Sequence, residues 1–119
     1  MILFGLVAPV QAAVPSESRP IAVLRALDKI TARVDEFEVT TSAPYHFGAL
    51  TIELKSCRVT PPEVTPESVA FLQISELPNS GAVQSVFSGW MFASSPSLSA
   101  MEHPVYDIWL MGCKEREAN

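Results

Sequence analysis

Apolar and polar residues alternate with a period near two along much of the chain, the pattern of half-buried β-strands. The clearest run is Leu50 to Lys55, where Leu50, Ile52 and Leu54 share one face and Thr51, Glu53 and Lys55 the other. The even positions are expected to face the core. Tyr45 to Val59 contains this run, and Gly48 marks a bend or bulge between two short strands within it. Upstream, Ile21, Val23, Leu24 and Leu27 open a strand-like pattern, which Ile30, Ala32 and Val34 continue. Phe37 and Val39 rejoin the alternation only after a one-residue slip at Asp35-Glu36, which predicts a β-bulge there.

Breaks in the pattern place the loops. Thr41-Ser42-Ala43-Pro44 reads as a turn, and residues 60–67 (TPPEVTPE) are too rich in proline for any strand or helix interior. Val69 to Leu77 is compatible with helix or strand. Pro66 and Glu67 suit a helix start, but the apolar positions keep no clean helical face, so strand is favoured. Pro78-Asn79-Ser80-Gly81 is a turn, and Val83 to Phe92 is a strand in which Gly89 permits a close approach or a bulge. Ser95 to Glu102 reads as one short helix, with Ser95 as cap, Pro96 in the first turn and Pro104 as the stop. Val105 to Cys113 is apolar on both faces, as a central strand is. The expected fold is all-β: a small single-domain barrel or sandwich of five to six strands with one short helix.

The ends change that picture. Met1 to Val14 (MILFGLVAPVQAAV) carries no charge and is too short to span a bilayer. It matches the hydrophobic region of a secretory signal, and Val10-Gln11-Ala12 puts small residues where cleavage before Ala13 requires them. No Lys or Arg precedes it, so the expectation is a signal-peptide remnant over residues 1–12 whose true start lies further upstream. A flexible lead-in over 13–20, a β domain over 21–113 and a charged tail over 114–119 follow. A buried N-terminal strand or helix is the competing reading. No cysteine stands near the cleavage site, which argues against a lipid anchor.

With 119 residues there is room for one domain. Hydrophobic residues make up 48% and charged residues 18%, a globular balance. The net charge is −5, and the eight Lys and Arg are scattered, so a nucleic-acid partner is not expected. The two cysteines, Cys57 and Cys113, permit one pairing, and an exported chain favours it. Two free buried thiols in a cytosolic protein are the alternative. Neither cysteine has a second ligand at zinc spacing.

Chemistry-bearing residues concentrate between Phe87 and Trp109. A serine hydrolase would draw on Ser88 or Ser94 with His103 and Asp107, but the Gly-x-Ser-x-Gly turn that exposes such a nucleophile is missing. A metal site would draw on Glu102, His103, Asp107 and His46, yet the adjacent Glu102 and His103 diverge. A binding surface would use part of the aromatic set Trp90, Phe92, Tyr106 and Trp109; the competing expectation is that Trp90 and Trp109 fill the core. Arg25 to Lys29 suggests an exposed hairpin with an ion pair, against the simpler expectation of a solvated turn. No catalytic residue, metal ligand or cofactor is expected. The expected contact surface comprises Trp90, Ser94, Ser95, Pro96, His103 and Asp107.

Several of these segments resemble a known family. Arg25-Ala26-Leu27-Asp28-Lys29-Ile30-Thr31, Phe47-Gly48-Ala49-Leu50, Cys57, the run Phe87-Ser88-Gly89-Trp90-Met91-Phe92-Ala93-Ser94-Ser95-Pro96, and Glu102-His103-Pro104-Val105-Tyr106-Asp107 are similar to the alphaproteobacterial domain of unknown function number 2155. The resemblance implies an exported protein with a proline-rich loop and two cysteines, and it supplies no catalytic residues. The expectation is a periplasmic, non-enzymatic binding or accessory module whose partner is an envelope protein or membrane complex. The alternative is a small hydrolase or metal-dependent enzyme built around Ser88, His103 and Asp107.

Overall fold

The computed structural model describes Gly5 and residues 14–77, 81–96 and 101–116. All of the expected signal remnant but Gly5 therefore lies outside the described residues. Among the described residues the strands are β1 (Glu17–Ser18), β2 (Ile21–Asp28), β3 (Arg33–Thr40), β4 (Tyr45–Phe47), β5 (Leu50–Val59), β6 (Ser68–Glu76), β7 (Gln84–Phe92), β8 (Met101–Glu102) and β9 (Tyr106–Lys114). They form two antiparallel sheets. The first runs β1-β5-β6-β7, with β4 also paired to β5, and the second runs β3-β2-β9-β8. The fold is an all-β sandwich.

The core is thin and aliphatic. Ala22, Leu24 and Ala26 of β2, Leu50, Ile52 and Leu54 of β5, Ala70, Leu72 and Ile74 of β6, and Ile108 and Leu110 of β9 are all buried. Phe37, Val39, Cys57, Met91 and Met101 complete it. The alternation of β5 and the strand reading of residues 69–77 are both observed. So is the central position of β9 between β2 and β8.

Three expectations change. Ile30 and Ala32 belong to a hairpin tip, not to a strand. The Asp28 carboxylate accepts hydrogen bonds from the Ile30 and Thr31 amides at 2.9 and 3.2 Å, and Ala32 takes a left-handed φ of 58°. The β2–β3 ladder then runs unbroken through Asp35 and Glu36, without a bulge there. Ile30 and Val34 are 76% and 55% exposed, so the apparent slip marks a turn followed by an outward valine. The second change concerns the short helix expected over Ser95–Glu102. Residues 97–100 lie outside the described residues, but Met101–Glu102 is strand, because Met101 is buried against the core opposite Ile108. Third, neither tryptophan is in the core. Met91 and Ile108 point inward, so their neighbours Trp90 and Trp109 point outward.

Bulges set the disulfide. Lys55 is an extra residue against β6, between the Leu54–Leu72 and Ser56–Phe71 pairs. Met111 is likewise extra against β2, between the Leu110–Leu24 and Gly112–Val23 pairs. Each bulge reverses the side-chain alternation two residues before a cysteine. Cys57 and Cys113 consequently face inward and join the two sheets, with Cα atoms 5.8 Å apart.

Candidate functional site

Strand β6 organises both ends of the sandwich. At its start, the proline-rich loop closes on Thr60, the one buried polar residue among those described. The Thr60 hydroxyl donates to the Thr65 carbonyl at 3.2 Å and accepts from the Glu67 amide at 3.0 Å. Glu67 then receives the exit of β7. Its Oε1 accepts from the Ser68 and Ser94 amides at 2.9 and 3.1 Å, and its Oε2 from the Ser94 hydroxyl. Burial raises the Glu67 pKa, but the Ser94 hydroxyl and the two amides outweigh it and hold the carboxyl below its ordinary value. Ser95 donates its amide to Phe92 at 3.3 Å, and Pro96 is exposed. Pro66, Glu67, Ser68, Ala93, Ser94 and Met111 line a shallow depression here.

At the far end of β6, Glu76 reaches the second sheet. Its Oε2 lies 2.9 Å from His103 Nε2. His103 Nδ1 accepts the Val105 amide at 3.0 Å, which assigns the ring proton to Nε2 and makes that nitrogen the donor to Glu76. The His103 ring stacks on Tyr106 with centroids 5.6 Å apart, and Phe47 meets Tyr106 edge-on at 5.4 Å. Gly48, with φ +57°, sits under Tyr106; a Cβ there would stand 2.6 Å from the phenol oxygen. Asp107 faces outward and pairs with Lys29 at 3.1 Å. The hairpin also carries the ion pairs Arg25–Glu36 at 3.2 Å and Arg33–Asp35 at 3.7 Å.

The six contact residues expected from sequence thus fall into two groups. Trp90, Ser94, Ser95 and Pro96 follow β7 and its exit. His103 and Asp107 belong to the other end: His103 is held by Glu76, nine residues along the chain from the Glu67 that holds Ser94 and five from the Phe71 opposite Trp90. The structure does not assemble a triad. Ser88 is exposed on the outer face of β7 opposite Gln73, and both His103 nitrogens are engaged by Glu76 and Val105. Asp107 holds Lys29 on the outer face of the second sheet. His46 bonds Thr51 at 3.2 Å on β4. No group of three His, Cys, Asp or Glu residues suited to a metal ion occurs among the described residues.

The aromatic residues divide by face. On the outer face of the first sheet, Trp90 is 41% exposed and leans edge-on against Phe71 with centroids 5.2 Å apart, and Phe92 lies beyond it. Trp109 occupies the outer face of the second sheet, and Tyr106 sits at the His103 end. Glu67 and Glu76 were invisible as site residues. Glu67 reads only as a helix-start residue at the end of the proline-rich loop, and the partners Ser94 and His103 each lie 27 residues away in sequence.

The model of a family described as an uncharacterized protein conserved in bacteria (DUF2155) matches residues 22–113. An uncharacterized protein of Rickettsia prowazekii (strain Madrid E) is 33% identical over 88 residues, covering 74% of this chain and 57% of that protein. The chain therefore spans little more than half the length of that relative. No solved structure matches.

Proposed function

From the premise that this chain belongs to the DUF2155 family of bacterial proteins, we propose that it is an exported, non-enzymatic binding or accessory module of the cell envelope. Its partner is an envelope protein or membrane complex, met through the outer face of β7. The observation that carries this reading is the outward placement of Trp90 and Phe92 on a strand without charges. Such aromatics are the usual anchors of protein contacts, and a side chain that merely filled the core would not be turned to solvent. Ser94, Ser95 and Pro96 extend this surface, while His103 and Asp107 form a separate contact point at the other end. The cystine across the two sheets supports export, since such bonds persist in oxidising compartments. The uncharged, small-residue segment before Ala13 points the same way.

The test is affinity capture from a solubilised envelope fraction, with wild-type protein beside Trp90→Ala and Phe92→Ser. A partner retained by the wild type and lost with both variants supports the reading. A partner retained equally by all three removes β7 from it. Intact mass of protein from the same fraction tests export: a chain starting near Ala13 that gains two protons on reduction is expected. Retention of Met1 with two free thiols would overturn the location.

A further inference from the structure

Strand β7 is hydrogen-bonded on one side only, to β6, among the described residues. A free strand edge presents unpaired backbone donors and acceptors, and soluble proteins guard such edges with charge, proline, bulges or brevity. The other edges here are guarded. β3 carries Arg33, Asp35, Glu36 and Glu38, while β1 and β8 are two residues long and β4 is three. β7 has nine residues with neither charge nor proline, and no residue between Glu76 and Glu102 is charged. Its one protection is a bulge at Val86, extra between the Ser85–Ser75 and Phe87–Ile74 pairs. Among the described residues Phe87 to Phe92 remains free to pair, with Ser88, Trp90 and Phe92 exposed on the outer face.

We infer that this edge pairs with β7 of a second copy of the chain, antiparallel about a two-fold axis, joining two first sheets into one continuous sheet. The occupant follows from the edge's own chemistry. A strand that fits must be extended, uncharged and free of proline over this run, and β7 itself is such a strand. Two-fold pairing uses the same strand twice. It sets no like charges opposite each other, although each copy carries a net −5. It also gathers Trp90 and Phe92 of both copies on one outer face, where cross-strand aromatic pairs add stability. A charged partner strand would find no counter-charge on β7. The inference rests on β7 as the contact surface and is independent of where the protein resides.

Sedimentation equilibrium on the disulfide-bonded full chain, from ~1 to ~200 µM, tests it by mass action. The expected result is a concentration-dependent shift from monomer to dimer, with slowed amide exchange in β7 as the dimer fills. Ser88→Lys places a cation near its two-fold mate and is expected to raise Kd about tenfold, equivalent to ~1.4 kcal/mol. The same change on the charged edge, Val34→Lys, is expected to leave the dimer intact. Thermal midpoints of the dilute monomers show that both variants fold. A monomer at every concentration, a dimer that Ser88→Lys does not weaken, or protection falling on β3 in place of β7 would each overturn the inference. Capture of an envelope protein through β7 by a strict monomer would overturn the self-pairing and leave the proposed function standing. A dimer without envelope capture would do the reverse.

Discussion

The two ends of β6 are fastened by different chemistry. Near Ser68 a covalent bond joins the sheets at Cys57 and Cys113, and Glu67 gathers the exit of β7 with two hydrogen bonds from Ser94 while accepting a third from Ser68. Near Glu76 no covalent bond joins the sheets; His103, Tyr106 and Phe47 close the gap by hydrogen bonding and ring packing over Gly48. One end is held shut by a bond and is expected to tolerate imperfect packing. The other depends on shape, so a single added carbon is enough to disturb it. The proposed contact residues follow this division, with Trp90 and the serines at the bonded end and His103 at the packed end.

The largest expected effect comes from removing the bond. Replacing both Cys57 and Cys113 with serine should cost ~3 to 4 kcal/mol in denaturant unfolding, given the 56-residue separation. A loss under ~1 kcal/mol would mean that packing holds both ends and would erase the contrast. Next comes Gly48→Ala at the packed end, expected to cost ~2 kcal/mol or more, because the new Cβ meets Tyr106 in a left-handed backbone conformation. Tyr106→Phe removes the nearest clashing oxygen and should restore part of that loss in the double variant. Full additivity of the two changes would show that shape at this end is not limiting.

Much of the fold was legible because β-sheets write their periodicity into the chain. Leu50, Ile52 and Leu54 declared the core face of β5, and the proline loop and Gly48 turn were declared by backbone chemistry. The bulges were legible too, in retrospect: Leu54 to Cys57 and Leu110 to Cys113 are both odd separations between inward residues, which a regular strand forbids. The β2–β3 hairpin misled because Ile30 and Val34 are apolar yet exposed, and only Asp28 with its turn bonds explains why. Strand β8 was hidden because a two-residue strand has no period. The site was less legible still. Glu67–Ser94 and Glu76–His103 are contacts between residues 27 apart in the chain, fixed by sheet register and not by any local motif.

A smaller effect is expected from His103→Ala. It removes the acceptor of the Val105 amide and the donor to Glu76, leaving two partly buried groups to find water. The cost should be ~1 to 2 kcal/mol. Amide exchange should quicken at Val105 and Tyr106 while Ser68 and Ser94 keep their protection. Quickening at both ends would show that the two fastenings open as one unit.

Glu67→Gln should have the smallest effect at neutral pH, under ~1 kcal/mol, because a glutamine oxygen still accepts the Ser68 and Ser94 amides and the Ser94 hydroxyl can turn to accept from the new amide. The sharper consequence is in the pH dependence. The folded protein holds the Glu67 carboxyl below its ordinary value, so the unfolded chain binds a proton there more readily. The stability this contributes is therefore fully present above the unfolded pKa and is lost as pH falls through the folded one. Unfolding free energies of wild type and Glu67→Gln should differ most at neutral pH and converge on acidification, the variant losing the corresponding part of the slope. Parallel curves would mean that Ser94 and the two amides do not favour the charged carboxylate. The bonded end would then owe its fastening to the cystine alone.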